Sequence, residues 1–191
     1  MNIVEYKENM GKRLLEGLMQ MEAEDESSLC YIEYLTEYGA DVDYQDPKTG
    51  YTPIMVAIEH NLEKSFDNIL SFEPNLEAAN FWGIKPIHLA AAQENQHYLR
   101  SLCKKRVDVN AFDKHGNRPL NYAIRKEVVP NIRILMKRSE SLNYLNNVRK
   151  SIYDEALETQ NQEVIDCVYQ KERENIVKRV LFPSIQGKTS K

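Results

Sequence analysis

The chain repeats itself every 33 residues. Gly50, Gly83 and Gly116 form one column at that spacing, Pro53, Pro86 and Pro119 a second, and Ala57, Ala90 and Ala123 a third. Two apolar columns keep the same register: Ile69, Leu102 and Leu135, and Leu76, Val109 and Leu142. A period of this size specifies a row of similar small units rather than one core closed on itself. Within each unit the glycine lets the chain turn with positive φ. The proline three residues later opens a helix, where its missing N–H costs nothing and its fixed φ fits. Thr52, just before Pro53, is expected to cap that helix through its hydroxyl. The alanine column keeps the first helix slim, so that units stack closely. A second helix supplies bulk: Phe66, Ile69 and Leu70, then Tyr98, Leu99, Leu102 and Cys103, then Ile132, Leu135 and Met136. No unit can bury its apolar face alone, so stability lies largely between neighbours.

Three segments carry a resemblance: TPIMVA (Thr52–Ala57), KPIHLAA (Lys85–Ala91) and RPLNYA (Arg118–Ala123). The connectors GADVDYQD (Gly39–Asp46) and VDVNAFD (Val107–Asp113) fit with them. At these residues the sequence resembles the ankyrin repeat family, strongly over residues 30–143 and more weakly outside. The resemblance implies an all-α solenoid of about five stacked helix pairs, with β-turn or hairpin fingers and degenerate terminal caps. The expected organisation is one domain over 1–182, followed by a flexible polar tail over 183–191. Within it, 1–46 is an N-terminal capping repeat and 47–79, 80–112 and 113–145 are repeats. Residues 146–182 form a degenerate C-terminal cap that keeps the helix pair but lacks the glycine and proline. The N-terminal cap is read from two apolar stripes, Leu14, Leu15, Leu18 and Met19, then Tyr31, Ile32 and Leu35. His88 stands where the family's motif has a histidine, which implies hydrogen bonding to nearby backbone.

Departures from the family pattern predict a weakened array. Lys85 and Arg118 replace the capping threonine, each at a cost of about 0.5–2 kcal/mol. Glu73, Arg106 and Ser139 stand where a glycine usually ends the second helix, and Pro130 is expected to interrupt its helix near the start.

The chemistry that the sequence lacks narrows the function. It has no phosphate-binding glycine loop, no nucleophile-elbow motif and no paired cysteine or histidine at zinc spacing. No catalytic residue, metal or cofactor is expected. Cys30, Cys103 and Cys167 are an odd number at wide spacing, which points away from a disulfide framework and toward a reducing compartment. The segment MNIVEYKENMGKR lacks the apolar stretch of a cleavable signal, and no run is long enough to span a membrane. A cytoplasmic location is expected, or the host cytosol if the chain is a secreted bacterial effector.

The variable positions carry the functional signal. In an ankyrin array the turn tips and the exposed side of the first helices form a concave strip. The first repeat places Lys48, Thr49, Tyr51, Glu59 and His60 there. The second places Phe81, Trp82, Ile84, Ala92 and Gln93. The third places Phe112, Lys114, His115, Asn117, Arg125 and Lys126. Phe81 and Trp82 stand out, because two adjacent aromatics at a normally polar turn tip make an exposed apolar patch. Lys114, Arg125 and Lys126 would flank it with positive charge. Net charge is −4, yet residues 1–46 carry −9 and residues 98–150 carry +9. The reading is a monomeric, non-enzymatic module that binds another protein through its concave face, as adaptor, inhibitor or effector. The alternative is nucleic-acid or acidic-ligand binding through the basic 98–150 surface, disfavoured by the acidic whole.

Overall fold

A computed structural model describes residues 2–139 and 142–181. Among these residues are ten helices: α1 (Ile3–Gln20), α2 (Glu26–Glu37), α3 (Pro53–Glu59), α4 (Glu63–Ser71), α5 (Pro86–Ala92), α6 (Gln96–Lys104), α7 (Pro119–Arg125), α8 (Val129–Arg138), α9 (Ile152–Glu158) and α10 (Gln162–Leu181). Among the described residues there is no strand. The tail over 183–191 lies outside them.

The helices form two layers. α1, α3, α5, α7 and α9 pack successively in one, and α2, α4, α6, α8 and α10 in the other. Ala57, Ala90, Ala123 and Ala156 are fully buried between them, which lets neighbouring units approach closely. The large side chains come from both layers: Ile54, Ile87 and Leu120 from the slim helices, Phe66, Tyr98, Leu99 and Leu135 from the others. The Phe66 and Tyr98 rings meet edge to face at 4.9 Å and tie α4 to α6. At the first pair Leu14, Leu15, Leu18, Ile32 and Leu35 are buried, whereas Met19 and Tyr31 of the predicted stripes are exposed. They lie in the first described pair, which packs against α3 and α4.

Pro53, Pro86 and Pro119 begin α3, α5 and α7, and Ile152 begins α9 at the same point of the period. Three sequence expectations about helix ends are corrected. The Thr52 hydroxyl makes no capping bond and is buried without a partner. In the later repeats the third helical residue satisfies the backbone N–H of the capping residue instead. Lys85 N donates to His88 Nδ1 at 3.1 Å, Arg118 N to Asn121 Oδ1 at 2.8 Å, and Ser151 N to Asp154 Oδ2 at 2.8 Å. Met55 occupies that position in the first repeat and has no such acceptor. The losses assigned to Lys85 and Arg118 are therefore offset by His88 and Asn121. Pro130 does not interrupt α8, which begins at Val129; the proline sits in the first turn, where no intrahelical donor is missed. Glu73 and Arg106, at the glycine position after the second helix, adopt φ of +54° and +60°, so the left-handed turn survives without the glycine.

Candidate functional site

Each turn that precedes a slim helix is a closed finger built on an Asp or Asn. The backbone N–H of Asp46, Asn80, Asp113 and Asn146 donates to the carbonyl of Tyr51, Ile84, Asn117 and Lys150, at 2.9–3.0 Å. The side chain of the same residue accepts the N–H groups at the tip. Asn80 Oδ1 takes Trp82 N and Ile84 N at 3.0 Å, and Asp113 Oδ1 takes His115 N and Asn117 N at 2.8 Å. The fourth finger, 146–150, was hidden in the sequence because Arg149 replaces the glycine; it adopts φ +60°. The column of Asp and Asn was the signal that could have found it.

The fingers are fastened to one another. Phe81 N donates to Thr49 O at 3.0 Å, Lys114 N to Trp82 O at 3.0 Å, and Asn147 N to His115 O at 2.9 Å. This ladder holds the tips in a row at fixed spacing.

Phe81 and Trp82 sit on that row, 51% and 47% exposed. Phe81 also lies over the preceding finger: a Cβ on Gly50 would stand 2.7 Å from Phe81 Cδ1. The Trp82 backbone is held at both the N–H and the carbonyl. Ile84 is half-buried. Phe112 is half-exposed, but its ring stacks edge-on to Tyr144 at 5.9 Å, with the Arg118 guanidinium 4.6 Å from its centre. Lys48, Lys114 and His115 are exposed at their tips.

At the far ends of α3, α5 and α7 a groove of about 730 Å³ brings Glu59, Ala92, Gln93 and Lys126 together. Leu89 and Tyr122 also line it, and the sequence reading missed both. They occupy the outward position one helical residue before the alanine column, a signal the period contained. His60 is exposed beside the end of α3. Tyr51 is half-buried with its hydroxyl 3.4 Å from Glu59 Oε1; burial and then the Glu59 charge push its pKa up to about 12. Gln93 reaches back, its Nε2 donating to Ile58 O at 2.9 Å and Glu59 O at 3.3 Å, so it closes the end of α3 as well as lining the groove.

Two predicted residues spend their polar groups within the chain. Asn117 is only 4% exposed. Its Nδ2 donates to Asp113 Oδ2 at 3.0 Å, and its Oδ1 accepts from Arg125 Nη2 at 2.7 Å and Asn146 Nδ2 at 3.2 Å. It is a strut between fingers and presents nothing to a partner. Arg125 is half-exposed, but Nη2 also bonds Glu155, whose carboxylate is buried at 3% exposure and takes Asn121 Nδ2 and Asn146 Nδ2 as well. Its charge is committed to the α7–α9 junction.

The other titratable groups hold structure. His88 is buried; Nδ1 accepts, so Nε2 donates to Ala111 O at 3.1 Å, and burial lowers its pKa. Burial opposes ionisation of Asp113, but bonds from Asn117 and the Tyr122 hydroxyl hold its carboxyl below the ordinary value. His97 Nε2 donates to Asp67 Oδ1 at 2.7 Å. Cys103 and Cys167 are buried, and burial raises both thiols. Among the described residues no cluster of His, Cys, Asp or Glu is placed to hold a metal.

Residues 64–147 match the family model for ankyrin repeats in three copies. Over these residues the chain is an ankyrin repeat array. The ankyrin match covers the two best-formed fingers and the helices that carry them. Over 102 residues the chain is 32% identical to an ankyrin repeat protein of Variola virus, covering 51% of this chain and 17% of that one. It is 28% identical over 107 residues to the B-cell lymphoma 3 protein homolog of Mus musculus, covering 56% and 24%. A putative ankyrin repeat protein of Fowlpox virus is 28% identical over 129 residues, covering 63% and 27%. The chain thus spans less than a third of the length of each of these ankyrin relatives. Ankyrin repeats are in general modules for protein–protein interaction and are typically non-enzymatic.

Proposed function

We propose that the chain is a non-enzymatic module that binds one partner protein along the row of finger tips and the groove at the ends of α3, α5 and α7. The observation that carries this reading is Trp82. It is the only tryptophan of the chain, half-exposed, on a tip whose backbone is fixed on both sides. A rigid aromatic held out of the core loses little entropy on binding and is the residue type most enriched among interface hot spots. Phe81 extends the apolar centre; Lys48, Lys114 and Lys126 supply positive charge along the rim, and Glu59 and Glu94 supply negative charge in the groove. Asn117 and Arg125 are omitted from the contact set because their polar atoms are already used. A strip of this kind accommodates about 800 Å² of a partner, the size of a standard interface.

The module acts by covering or scaffolding a partner's surface. Two of the relatives are proteins of viruses, which supports the effector form of that role. Three free cysteines support a reducing, cytoplasmic setting. No described helix is long and apolar enough to cross a membrane.

The test is affinity capture with the wild-type chain, a Trp82→Ala variant and a Lys126→Glu variant, each checked for wild-type circular dichroism. Partners held through the strip are lost from Trp82→Ala and weakened with Lys126→Glu. A folded Trp82→Ala chain that retains every partner refutes the proposal.

A further inference from the structure

We propose a second docking site on the opposite face of the array: the groove between α6 and α8, which takes a short carboxylate-rich segment of a protein. The groove has a volume of about 710 Å³. Arg100 and Lys104 line it from α6, and Arg133, Lys137 and Arg138 from α8, over a floor that includes Cys103 and Ile134. No described carboxylate lines it.

The period explains the arrangement. Arg100 and Arg133 are one repeat apart, and so are Lys104 and Lys137. Each helix presents its pair four residues apart, on one face. The result is a two-by-two grid of exposed cations, with Arg138 at its edge. Positive charge near the last turn of a helix complements the helix dipole, which accounts for Lys104, Lys137 and Arg138. It does not account for Arg100 and Arg133, each the fifth residue of its helix.

These charges are poorly neutralised within the chain. Two partly buried lysines elsewhere do have close carboxylates, Lys85–Glu77 at 2.7 Å and Lys150–Glu158 at 2.6 Å. In the grid, the one described ion pair is Arg133–Glu163, at 3.5 Å. Arg100 bonds the neutral Gln96 side chain at 2.8 Å, and Arg138 the carbonyl of Cys103 at 3.5 Å. Guanidinium groups match carboxylates in a two-pronged geometry, and a ligand carboxylate relieves the mutual repulsion of the grid.

The sequence of signs along the array sets the size and kind of occupant. The column that holds Arg100 and Arg133 reads Asp67, Arg100, Arg133, Asp166. All four are exposed. Positive charge is thus confined to two repeats and bounded by an acid on each side. A nucleic-acid strand long enough to gain from phosphate contacts would run onto Asp67 or Asp166. The groove lining also holds no aromatic ring on which a base could stack. A short acidic segment meets neither obstacle.

The full chain is titrated into a fluorescein-labelled amphipathic peptide with glutamates spaced four apart, alongside its Glu→Gln counterpart and a 20-nucleotide DNA, single-stranded and duplex. The Glu peptide binds more tightly than the Gln peptide, and added salt weakens it. Lys104→Glu/Lys137→Glu lowers the affinity at least tenfold, and the milder Arg100→Gln/Arg133→Gln weakens it in the same direction. Trp82→Ala leaves it unchanged, so this result stands or falls apart from the concave-face reading. Equal binding of the two peptides, or a folded charge-reversed variant within twofold of wild type, overturns the proposal. Tighter binding of either DNA, lost in the same variants, overturns it too and assigns the groove to nucleic acid.

Discussion

Gly83 meets two demands at once. Its φ is +78°, and a Cβ there would stand 2.8 Å from the Lys114 backbone nitrogen. An alanine must therefore adopt an unfavourable conformation and push two fingers apart. Gly83→Ala is expected to lower stability by about 1–3 kcal/mol in urea unfolding. Arg149 is the converse: it holds φ +60° at the corresponding position, so Arg149→Gly is expected to raise stability by about 0.5–1 kcal/mol. His88 adds a pH dependence. Its folded pKa lies below the ordinary 6.5, so the unfolded chain binds the proton more readily. Its contribution is complete above about pH 6.5 and is lost as pH falls from there through the folded value. Protonation removes the Nδ1 acceptor used by Lys85. Unfolding measured between pH 7.5 and 5.5 should show this decline, and His88→Asn, which copies the residue at 121, should flatten it. The structural role of His88 was legible from its motif. The role of Asn117 was not, because one residue that engages it, Asn146, sits in a finger with neither glycine nor proline to mark it.

At the scale of elements, the apolar columns predicted which helix faces are buried, because a 33-residue translation brings like positions into contact. What the period could not reveal is where two repeats meet through polar groups. The α7–α9 junction is built on Glu155, which accepts from Asn121, Arg125 and Asn146, while the Tyr144 hydroxyl donates to Asn121 Oδ1 at 2.7 Å. Glu155 reads in the sequence as one more helix-surface acid. Glu155→Ala leaves the buried Asn121 amide without its acceptor, and leaves the Asn146 amide and the half-exposed Arg125 guanidinium with Asn117 Oδ1 alone. The expected loss is on the order of 2–3 kcal/mol, smaller than for a fully buried ion pair because water reaches Arg125. Glu155→Gln, which keeps an acceptor oxygen, should lose less. Equal losses for the two variants would show that packing rather than hydrogen bonding holds this junction.

Across the whole molecule, one repeated plan separates two kinds of position. Those the stack requires are glycine, alanine and the apolar columns. Those it leaves free carry an aromatic tip in the second repeat, a cationic rim in the third, and, along the back, two cationic repeats bounded by acids. The charge asymmetry of the sequence was correct in sum but silent on distribution: some cations of 98–150 line the α6–α8 groove, others the concave rim, and Arg125 is spent at the α7–α9 junction. The central claim is that the finger-tip face receives a partner at Trp82. Because the chain has no other tryptophan, its emission reports on that tip alone. On titration with a protein recovered by capture, the account predicts a blue shift that saturates at the binding stoichiometry, as the half-exposed indole leaves water. Saturable binding measured by calorimetry, with the tryptophan emission unmoved, would contradict it.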